Sequence, residues 1–330
     1  MIRVGILGAA GYTGGELIRL LLNHPECEIV FAHSGSNAGK KVYEVHGGLL
    51  GDTELSFSSD TPFDAVDVVF FCFGHGKSAE FLQTHPIPSK VKIIDMAQDF
   101  RLSSPDNDFV YGLPEIHRSE IRRCNHLANP GCFATCIQLG LLPLAASKLL
   151  VYDVNVNAFT GSTGAGQSPT PTTHFSWRNC NISTYKVFSH QHLHEIRQSL
   201  EELQGSLDCS IDFIPYRGDF ARGIFCTSVV KFDGEEGSAT NPSLSDLEEL
   251  YISFYKASPF THYVNKSIDL KQVVNTNKAL IHVDKFGNKA VITSVIDNLL
   301  KGAVGQAVEN MNLMFGLDET TGLKLKASAF

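Results

Sequence analysis

A cysteine that follows a proline-glycine turn is the strongest candidate for chemistry in this sequence. Pro130-Gly131 forms the turn, and the apolar pattern of Phe133–Leu142 then predicts a helix. Cys132 is therefore expected at or beside a helix N-terminus, where the helix dipole favours a thiolate. A buried structural cysteine is the alternative, and Cys136, one helical turn further on, is assigned to that kind.

A thiolate nucleophile needs a general acid or base, and a histidine cluster supplies candidates. His190, His192 and His194 alternate along the chain. They stand just before and within a helix predicted over Gln191–Gln204. One of them is expected to serve Cys132 in acid-base catalysis. Two alternatives stay open: a zinc site built from neighbouring cysteines and these histidines, which lacks the usual ligand spacings, and a histidine cluster without chemistry.

The first glycines of the chain form a candidate dinucleotide-binding loop. They stand between a predicted strand, Ile2–Leu7, and a predicted helix, Gly14–Leu22. Glycines here let the backbone approach a pyrophosphate, while free N–H groups and the helix dipole supply positive potential. The spacing is GxxGxxG rather than GxGxxG, so an ordinary tight turn is the alternative. The candidate cofactor-binding residues of this loop are Gly8, Gly11, Tyr12, Thr13 and Gly14.

The end of the second predicted strand, Glu28–His33, indicates which dinucleotide the loop would bind. NAD sites usually place Asp or Glu there to bind the ribose 2′-hydroxyl. The region holds serines and lysines instead of a carboxylate, namely Ser34, Ser36, Lys40 and Lys41. This pattern favours NADP over NAD, and a solvated basic loop is the alternative.

Two domains are expected from the length of 330 residues and from a change in pattern near residue 150. Before that point apolar strands alternate with helices, which predicts an α/β fold with a Rossmann-type doubly wound parallel sheet. After it, longer strands with segregated helices predict an α+β catalytic domain. A C-terminal helical stripe is expected to pack on the first domain. The predicted domains are 1–131 with 302–330, and 132–301.

The composition argues against several functional classes. The chain carries 27 Lys+Arg against 35 Asp+Glu, a formal net charge of −8, which argues against partners such as nucleic acid or a membrane surface. No targeting signal or membrane-spanning stretch is recognised, so a cytoplasmic protein is expected. Eight cysteines dispersed through a large chain favour reduced thiols over a disulfide framework.

In their order, the motifs of the chain resemble those of the N-acyl-γ-glutamyl-phosphate reductases of arginine biosynthesis. The resemblance covers nearly the whole chain and rests on seven segments, which are Gly8–Gly14, Asp99–Leu102, Tyr111–Glu115, Asn129–Cys132, Gly161–Gly166, His190–Ile196 and Ile296–Gly302. It implies a two-domain fold like that of glyceraldehyde-3-phosphate dehydrogenase. It also implies an NADPH-dependent, phosphorylating aldehyde dehydrogenase that forms a homodimer or homotetramer.

The resemblance also implies roles for single residues. Cys132 matches the nucleophile of the family and His192 its general acid and base. His190 matches a substrate contact, and Asn298 matches a position near the nicotinamide. The glycine-rich segment adds Ser162 for the substrate and Gly164 for the cofactor.

The implied substrate is anionic, so cations are expected at the site despite the net negative charge. Arg101, Lys186 and Arg222 are the candidates, and Arg101 is favoured because it lies inside a matching motif. Surface ion pairs are the alternative for each. Gln167 stands where many relatives have a basic residue, and His194 stands where proline is frequent. Recognition of the acyl or carboxylate end of the substrate is therefore left open.

The implied mechanism is covalent: Cys132 attacks the acyl phosphate, a hydride reduces the thioester, and His192 transfers the proton. Aspartate-semialdehyde dehydrogenase, on the same fold, is the nearest alternative. A non-catalytic NADP-binding regulator is an alternative of another class. Neither the N-acyl group, acetyl or succinyl, nor the oligomeric state is determined by the sequence.

Overall fold

The computed structural model describes residues 1–328 and divides them into two compact units. Unit 1 comprises Met1–Gly131 with Ala303–Lys324, and unit 2 comprises Cys132–Gly302 with the described residues after Lys324. The last two positions of the predicted range 302–330 lie outside the described residues.

Strands and helices follow one another along both units. The strands are β1 (Ile2–Leu7), β2 (Cys27–His33), β3 (Phe57–Ser58), β4 (Val68–Phe71), β5 (Lys92–Asp95), β6 (Val110–Tyr111), β7 (His126–Ala128), β8 (Val154–Thr160), β9 (Ser183–Thr184), β10 (Ile211–Arg217), β11 (Ile224–Lys231), β12 (Thr261–Tyr263), β13 (Ala279–Phe286) and β14 (Lys289–Ile296). The helices are α1 (Tyr12–Leu21), α2 (Val42–Val45), α3 (Lys77–Thr84), α4 (Pro114–Ile121), α5 (Cys132–Ala146), α6 (Phe175–Arg178), α7 (His192–Gln204), α8 (Leu244–Tyr255) and α9 (Gly305–Met314).

Unit 1 contains the predicted Rossmann-type sheet, which is confirmed. Its strand order is β3-β2-β1-β4-β5-β7-β6, and every pairing among these strands is parallel. Apolar strands such as β4 are buried throughout, as parallel strands covered on both faces must be. The strand order reverses between β1 and β4, and ligands of such sheets bind at the carboxyl ends of the strands at this point. The loop after β1 therefore lies where a dinucleotide would bind.

Unit 2 is built on a mixed sheet, as the α+β prediction requires. Its strand order is β12-β13-β14-β11-β8-β10-β9, with antiparallel pairing of β14 to both β13 and β11. Helix α5 packs against β14 and β11, and α7 packs against α5. Two helices that carry candidate catalytic residues at their first positions are thus held on one sheet.

Helix α5 is longer than the predicted span Phe133–Leu142 and contains a proline. The sequence pattern predicted an end at Leu142, but the helix runs through Pro143 to Ala146. Proline has no N–H to bond the carbonyl four residues earlier, which belongs to Leu139. The Tyr255 hydroxyl of α8 donates to that carbonyl instead, with an O···O distance of 2.6 Å. A contact with a distant helix therefore replaces the missing helical hydrogen bond.

Replacing Tyr255 with phenylalanine is expected to lower the free energy of unfolding by about 1–3 kcal/mol, because it leaves the buried Leu139 carbonyl without this donor. Denaturant unfolding of Tyr255→Phe measures the loss. Tyr251→Phe is the matched control, since its hydroxyl donates to the Gly140 carbonyl, which α5 can also bond through its own Leu144 N–H. Equal losses in the two variants would contradict the special role given to Tyr255.

Candidate active site

Cys132 is the first residue of α5 in unit 2, so the predicted position at a helix N-terminus is confirmed. The side chain is half-buried, whereas the following residues of the helix are buried. The amino end of a helix favours negative charge, here a thiolate, on a sulfur placed there. Gly302 lies against this cysteine, because a Cβ added to Gly302 would stand 2.9 Å from the Cys132 Cβ. Only a glycine at position 302 leaves Cys132 this position.

Two histidines lie beside the start of α5. His192 is the first residue of α7, and the aromatic ring that follows the cysteine, Phe133, packs edge-on against both His190 and His192. The centroid distances from Phe133 are 5.4 Å and 6.3 Å. Phe213 of β10 packs on Phe133 at 5.1 Å and on His190 at 5.4 Å. The structure therefore brings together the cysteine and two of the three candidate histidines within unit 2.

The hydrogen bonds of these histidines suit different tasks. The His192 backbone N–H donates to Nδ1 of His190 at 3.2 Å, which leaves the His190 ring proton on Nε2. In the neutral imidazole Nε2 is therefore the donor atom of His190. The Nε2 atom of His192 lies 3.9 Å from Oε1 of Glu195, and both side chains are buried. The Glu195 carboxylate thus lies beside the nitrogen of His192 that would exchange a proton.

Arg222 and Asn298 are held by a network behind the cysteine. The Arg222 guanidinium donates from Nε and Nη2 to the fully buried carboxylate of Asp297, at 3.0 and 3.1 Å. Asn298 accepts from the Gly223 backbone at 2.6 Å and donates to the Thr163 hydroxyl at 3.0 Å. These bonds fix the loop that carries Ser162 and Gly164, whose turn runs over Ser162–Ala165.

The other two predicted substrate cations differ in environment. Lys186 is exposed, has a positive φ of 45°, and donates to Oε1 of Gln191 at 2.8 Å. Arg101 belongs to unit 1, is buried, and donates to the Met96 carbonyl at 2.8 Å. Lys186 and Arg222 thus lie in the unit that holds Cys132, whereas the favoured candidate, Arg101, lies in the other unit. The roles of all three stay predictions.

Burial affects the thiols of five other cysteines. Cys136, Cys72 and Cys209 have raised thiol pKa values because they are buried. Burial likewise raises the pKa of Cys27 to about 12 and that of Cys124 to about 11. All eight cysteines, which lie within residues 1–328, are free thiols. Thiols with raised pKa values are poor nucleophiles near neutral pH.

In unit 1 the glycine loop leads from β1 into α1, as predicted. Gly8 has a φ of +72°, and a Cβ there would meet the Cys72 carbonyl oxygen at 2.5 Å. A Cβ at Gly14 would meet Ala9 Cα at 2.5 Å, so packing of the chain requires both glycines. Gly11 is different, because its nearest neighbour would be the Gly8 oxygen at 3.6 Å, an ordinary contact. The open space at Gly11, the residue before the first turn of α1, fits the close approach of a pyrophosphate.

Gly11→Ala is expected to raise the KM for NADPH by about tenfold or more while changing the free energy of unfolding by less than about 1 kcal/mol, since the added methyl projects into open space. Gly8→Ala is the contrasting variant and should destabilise the fold by more than about 1 kcal/mol, because of its positive φ and the clash with a carbonyl. An unchanged KM for NADPH in Gly11→Ala would contradict the assignment of this loop.

Hydroxyls and an amine are linked at the end of β2. Asn37 Nδ2 lies 3.4 Å from the Ser34 hydroxyl and 3.2 Å from the Ser36 hydroxyl, and Lys40 Nζ donates to Asn37 Oδ1 at 3.2 Å. The Lys41 amine instead donates to the Glu54 carbonyl at 2.6 Å and pairs with its carboxylate. Of the two lysines, Lys40 is therefore the one grouped with the serines, and this group suits a 2′-phosphate.

A buried carboxylate at the end of β5 was not recognised from the sequence. Asp95 accepts hydrogen bonds from the Ser78 hydroxyl at 2.6 Å and the Ala97 backbone at 3.1 Å. Burial raises the pKa of Asp95 to about 6 despite these hydrogen bonds, which lower it. The nearby Asp99 accepts three backbone N–H groups, from Gly76, Ser78 and Ala79, around the start of α3. In the sequence, only the position of Asp99 in the motif Asp99–Leu102 indicated that this cluster exists.

The raised pKa of Asp95 makes a prediction about stability and pH. Between about pH 4 and 6 the folded state holds the proton that the unfolded state has released, so stability falls as pH rises through this range. Above pH 6 ionised Asp95 costs up to about 3 kcal/mol. Asp95→Asn is therefore expected to be more stable than the parent at pH 8, with a smaller difference at pH 5, as measured by denaturant unfolding. An equal loss of stability at both pH values would contradict this account.

Two structural properties bear on other kinds of site. Within the part of the chain that the structure describes, no group of three or more His, Cys, Asp or Glu side chains is arranged to hold a metal ion. Among the helices of residues 1–328, none combines the length and the apolar composition that a membrane crossing requires.

Comparison with known proteins identifies both units. The family profile described as semialdehyde dehydrogenase, NAD binding domain, matches residues 3–124. The profile described as semialdehyde dehydrogenase, dimerisation domain, matches residues 132–298. The two profiles together cover most of the chain.

Curated relatives match the chain from end to end. An N-acetyl-gamma-glutamyl-phosphate reductase from Bacteroides thetaiotaomicron is 60% identical over 330 residues, covering 100% of both chains. One of the same name from Phocaeicola vulgatus is 59% identical with the same coverage.

Solved structures share the fold at low identity. Aspartate semialdehyde dehydrogenase II complexed with ASA from Vibrio cholerae aligns with a TM-score of 0.73 and 16% identity, covering 96% of this chain and 98% of that one. Aspartate semialdehyde dehydrogenase with NADP from Candida albicans aligns with a TM-score of 0.71 and 14% identity, covering 96% and 99%.

Proposed function

The chain belongs to the N-acetyl-gamma-glutamyl-phosphate reductases of the semialdehyde dehydrogenase family, and we propose that it catalyses the reaction for which those relatives are named. It is an oxidoreductase that converts an N-acyl-γ-glutamyl phosphate to the N-acyl-glutamate semialdehyde and phosphate, a step of arginine biosynthesis. The observation that carries the proposal is the pairing, within unit 2, of two packed helices whose first residues are Cys132 and His192.

Cys132 is the proposed nucleophile. Its thiolate attacks the acyl carbon, the carbon–oxygen bond to phosphate breaks, and a thioester remains on the sulfur. NADPH, when bound, supplies the hydride that reduces this thioester to a thiohemiacetal. The thiohemiacetal then releases the aldehyde and restores the thiolate of Cys132. The covalent route replaces one difficult displacement with two easier steps. The helix N-terminus favours the thiolate, which is the attacking group in the first step and the group released in the last.

His192 is the proposed general acid and base. As an imidazolium it protonates the oxygen that becomes negative when the thioester is reduced, and it takes that proton back as the aldehyde is released. Glu195 lies 3.9 Å from Nε2 of His192 and is the neighbouring side chain that can position the imidazole. His190 donates from Nε2 toward the substrate, in keeping with the Nδ1 acceptor role described above.

The residues for NADP and for the anionic substrate are proposed from their surroundings. Gly8, Gly11, Tyr12, Thr13 and Gly14 would hold the pyrophosphate, and Ser34 with Ser36 would hold the 2′-phosphate. Gly164 and Asn298 would contact the nicotinamide end. Ser162, Lys186, Arg222 and Arg101 are assigned to the substrate; the Asp297 bonds hold the guanidinium of Arg222 in one orientation.

The assembly and location follow the same proposal. A homodimer or homotetramer in the cytoplasm is proposed, supported by the dimerisation-domain profile over residues 132–298 and by the biosynthetic reaction of the relatives. Light scattering of the purified protein measures the mass in solution, and a monomer at micromolar concentration would contradict the proposed assembly.

The reverse reaction gives the decisive assay. In the presence of inorganic phosphate, N-acetyl-glutamate semialdehyde or its N-succinyl analogue should reduce NADP, with NAD and aspartate semialdehyde as poor alternatives. Turnover that prefers aspartate semialdehyde would contradict the substrate assignment. A preference for NAD would contradict the role of the Ser34 and Ser36 loop.

A further inference from the structure

Two arginines of unit 2 lie close to each other without a carboxylate partner. Arg178, the last residue of α6, is 9% exposed and donates from Nη2 to the Thr160 carbonyl at 3.2 Å. Its buried Nε has no hydrogen-bond partner. Arg217, the last residue of β10, donates from Nη1 to the Thr184 carbonyl at 3.4 Å. Within residues 1–328 neither guanidinium forms an ion pair.

Aromatic rings hold one of these guanidinium groups in a defined plane. The guanidinium carbon of Arg217 lies 4.1 Å from the centroid of Tyr185 and 6.0 Å from that of Trp177. Stacking of this kind occupies the face of the guanidinium and leaves the N–H groups at its edge available to an anion. Trp177 also lines an open cavity of about 630 Å³, together with His174 and Ser176. Neither arginine lines this cavity, which adjoins the pair only through Trp177.

The two positive charges oppose each other. Burial lowers the pKa of Arg178, and the charge of Arg217 lowers it further. Asp219 offsets this only in part, and one of its carboxylate oxygens already accepts the Cys180 backbone N–H at 2.8 Å. Like charges held together in this way are relieved by an anion that both can contact.

Tyr185 connects the arginine pair with the catalytic residues. Its ring packs on His190 at a centroid distance of 5.8 Å. Burial raises the pKa of the Tyr185 hydroxyl, and the negative charge of nearby Cys132 raises it further. Tyr185 therefore contacts both Arg217 and His190, which lies beside the start of α5.

We propose that Arg178 and Arg217 form a binding subsite for a carboxylate of the substrate. This inference rests on the proposed function, which places the acyl phosphate carbon at the Cys132 sulfur. The phosphate is attached to that carbon and must lie beside the sulfur, whereas the carboxylate groups of an N-acyl-glutamyl compound are several bonds away. The contacts of Tyr185 with both Arg217 and His190 place the subsite next to the candidate histidines, where such a carboxylate can lie. Two guanidinium groups can bind a carboxylate through several N–H donors.

Steady-state kinetics of the full-length enzyme in the reverse direction test the assignment. Arg217→Leu and Arg178→Gln are expected to raise the KM for N-acyl-glutamate semialdehyde at least tenfold, with kcat and the KM values for NADP and phosphate within about threefold of the parent. Arg217→Lys keeps a positive charge and should recover part of the loss. Arg123→Leu, which removes an exposed arginine paired with Glu120, is the matched control and should behave like the parent.

The substrates chosen identify the carboxylate. An equal rise in KM for the N-acetyl and N-succinyl compounds would support binding of the α-carboxylate, and a rise confined to the N-succinyl compound would support binding of the acyl carboxylate. An unchanged KM for both compounds in folded Arg217→Leu would overturn the proposal, as would a rise confined to phosphate or NADP. Should Arg178→Gln fail to fold, the two Arg217 variants decide. Absence of turnover by the parent enzyme itself would overturn the proposed function, and this subsite with it.

Discussion

Replacing Cys132 with serine is expected to lower kcat by at least about 10³-fold, because the covalent route depends on a thiolate at the start of α5. A serine hydroxyl at the same position remains protonated near neutral pH and attacks the acyl phosphate poorly. The folded structure should persist, since the substitution exchanges only one atom in a half-buried side chain. The assay is NADPH oxidation with the acyl phosphate, together with phosphate-dependent NADP reduction with the semialdehyde.

Cys124→Ser is the matched control for this variant. The Cys124 thiol donates to the Ile121 carbonyl at 3.3 Å, a bond that a serine hydroxyl can replace. Its activity should equal that of the parent. Mass spectrometry after brief iodoacetamide treatment of the parent should find Cys132 modified before the five cysteines whose thiol pKa burial raises, with the exposed Cys180 as the reference for an accessible thiol. Substantial turnover by Cys132→Ser would exclude the thioester route.

Replacing His192 with asparagine is expected to lower kcat by about 10²–10⁴-fold, the usual contribution of a positioned general acid or base. The pH profile of kcat should lose the limb that reports the titration of this histidine, because asparagine cannot transfer the proton. Glu195→Gln, which keeps the shape of the neighbouring side chain, should lower kcat less than His192→Asn does, because it alters a neighbour of the imidazole 3.9 Å away and leaves the imidazole in place.

His190→Asn separates acid-base chemistry from substrate binding. It should raise the KM for the semialdehyde and retain the pH limb of the parent, because His190 is assigned a hydrogen bond to the substrate rather than proton transfer. A pH profile that survives in His192→Asn and disappears in His190→Asn would reverse the two assignments.

Local sequence patterns were sufficient to predict the features that depend on neighbouring residues. The strand β1 has the predicted bounds, and the glycine loop after it leads into α1 because glycine spacing and helical periodicity are both local signals. Cys132 begins α5, as predicted, because the turn before it depends on two adjacent residues, Pro130 and Gly131. The doubly wound sheet followed from the repeated alternation of such local elements.

Features that depend on distant residues could not be predicted from local sequence patterns. Helix α5 passes Pro143 because Tyr255, 116 residues beyond Leu139 in the chain, supplies the missing donor. Asp95 has an elevated pKa because the packed sheet buries it, which no spacing indicates. Arg178 and Arg217 adjoin each other only through the folding of α6 beside the end of β10, so composition could predict that cations are needed but not which ones.

The contact between Gly302 and Cys132 has a consequence for the evolution of the chain. These residues are the first and last of the main segment of unit 2, yet a Cβ on Gly302 would nearly touch the Cys132 side chain. A segment whose two ends meet can enter a surface loop of another domain without separating the ends of that loop. Cys132–Gly302 therefore has the geometry of an inserted gene segment.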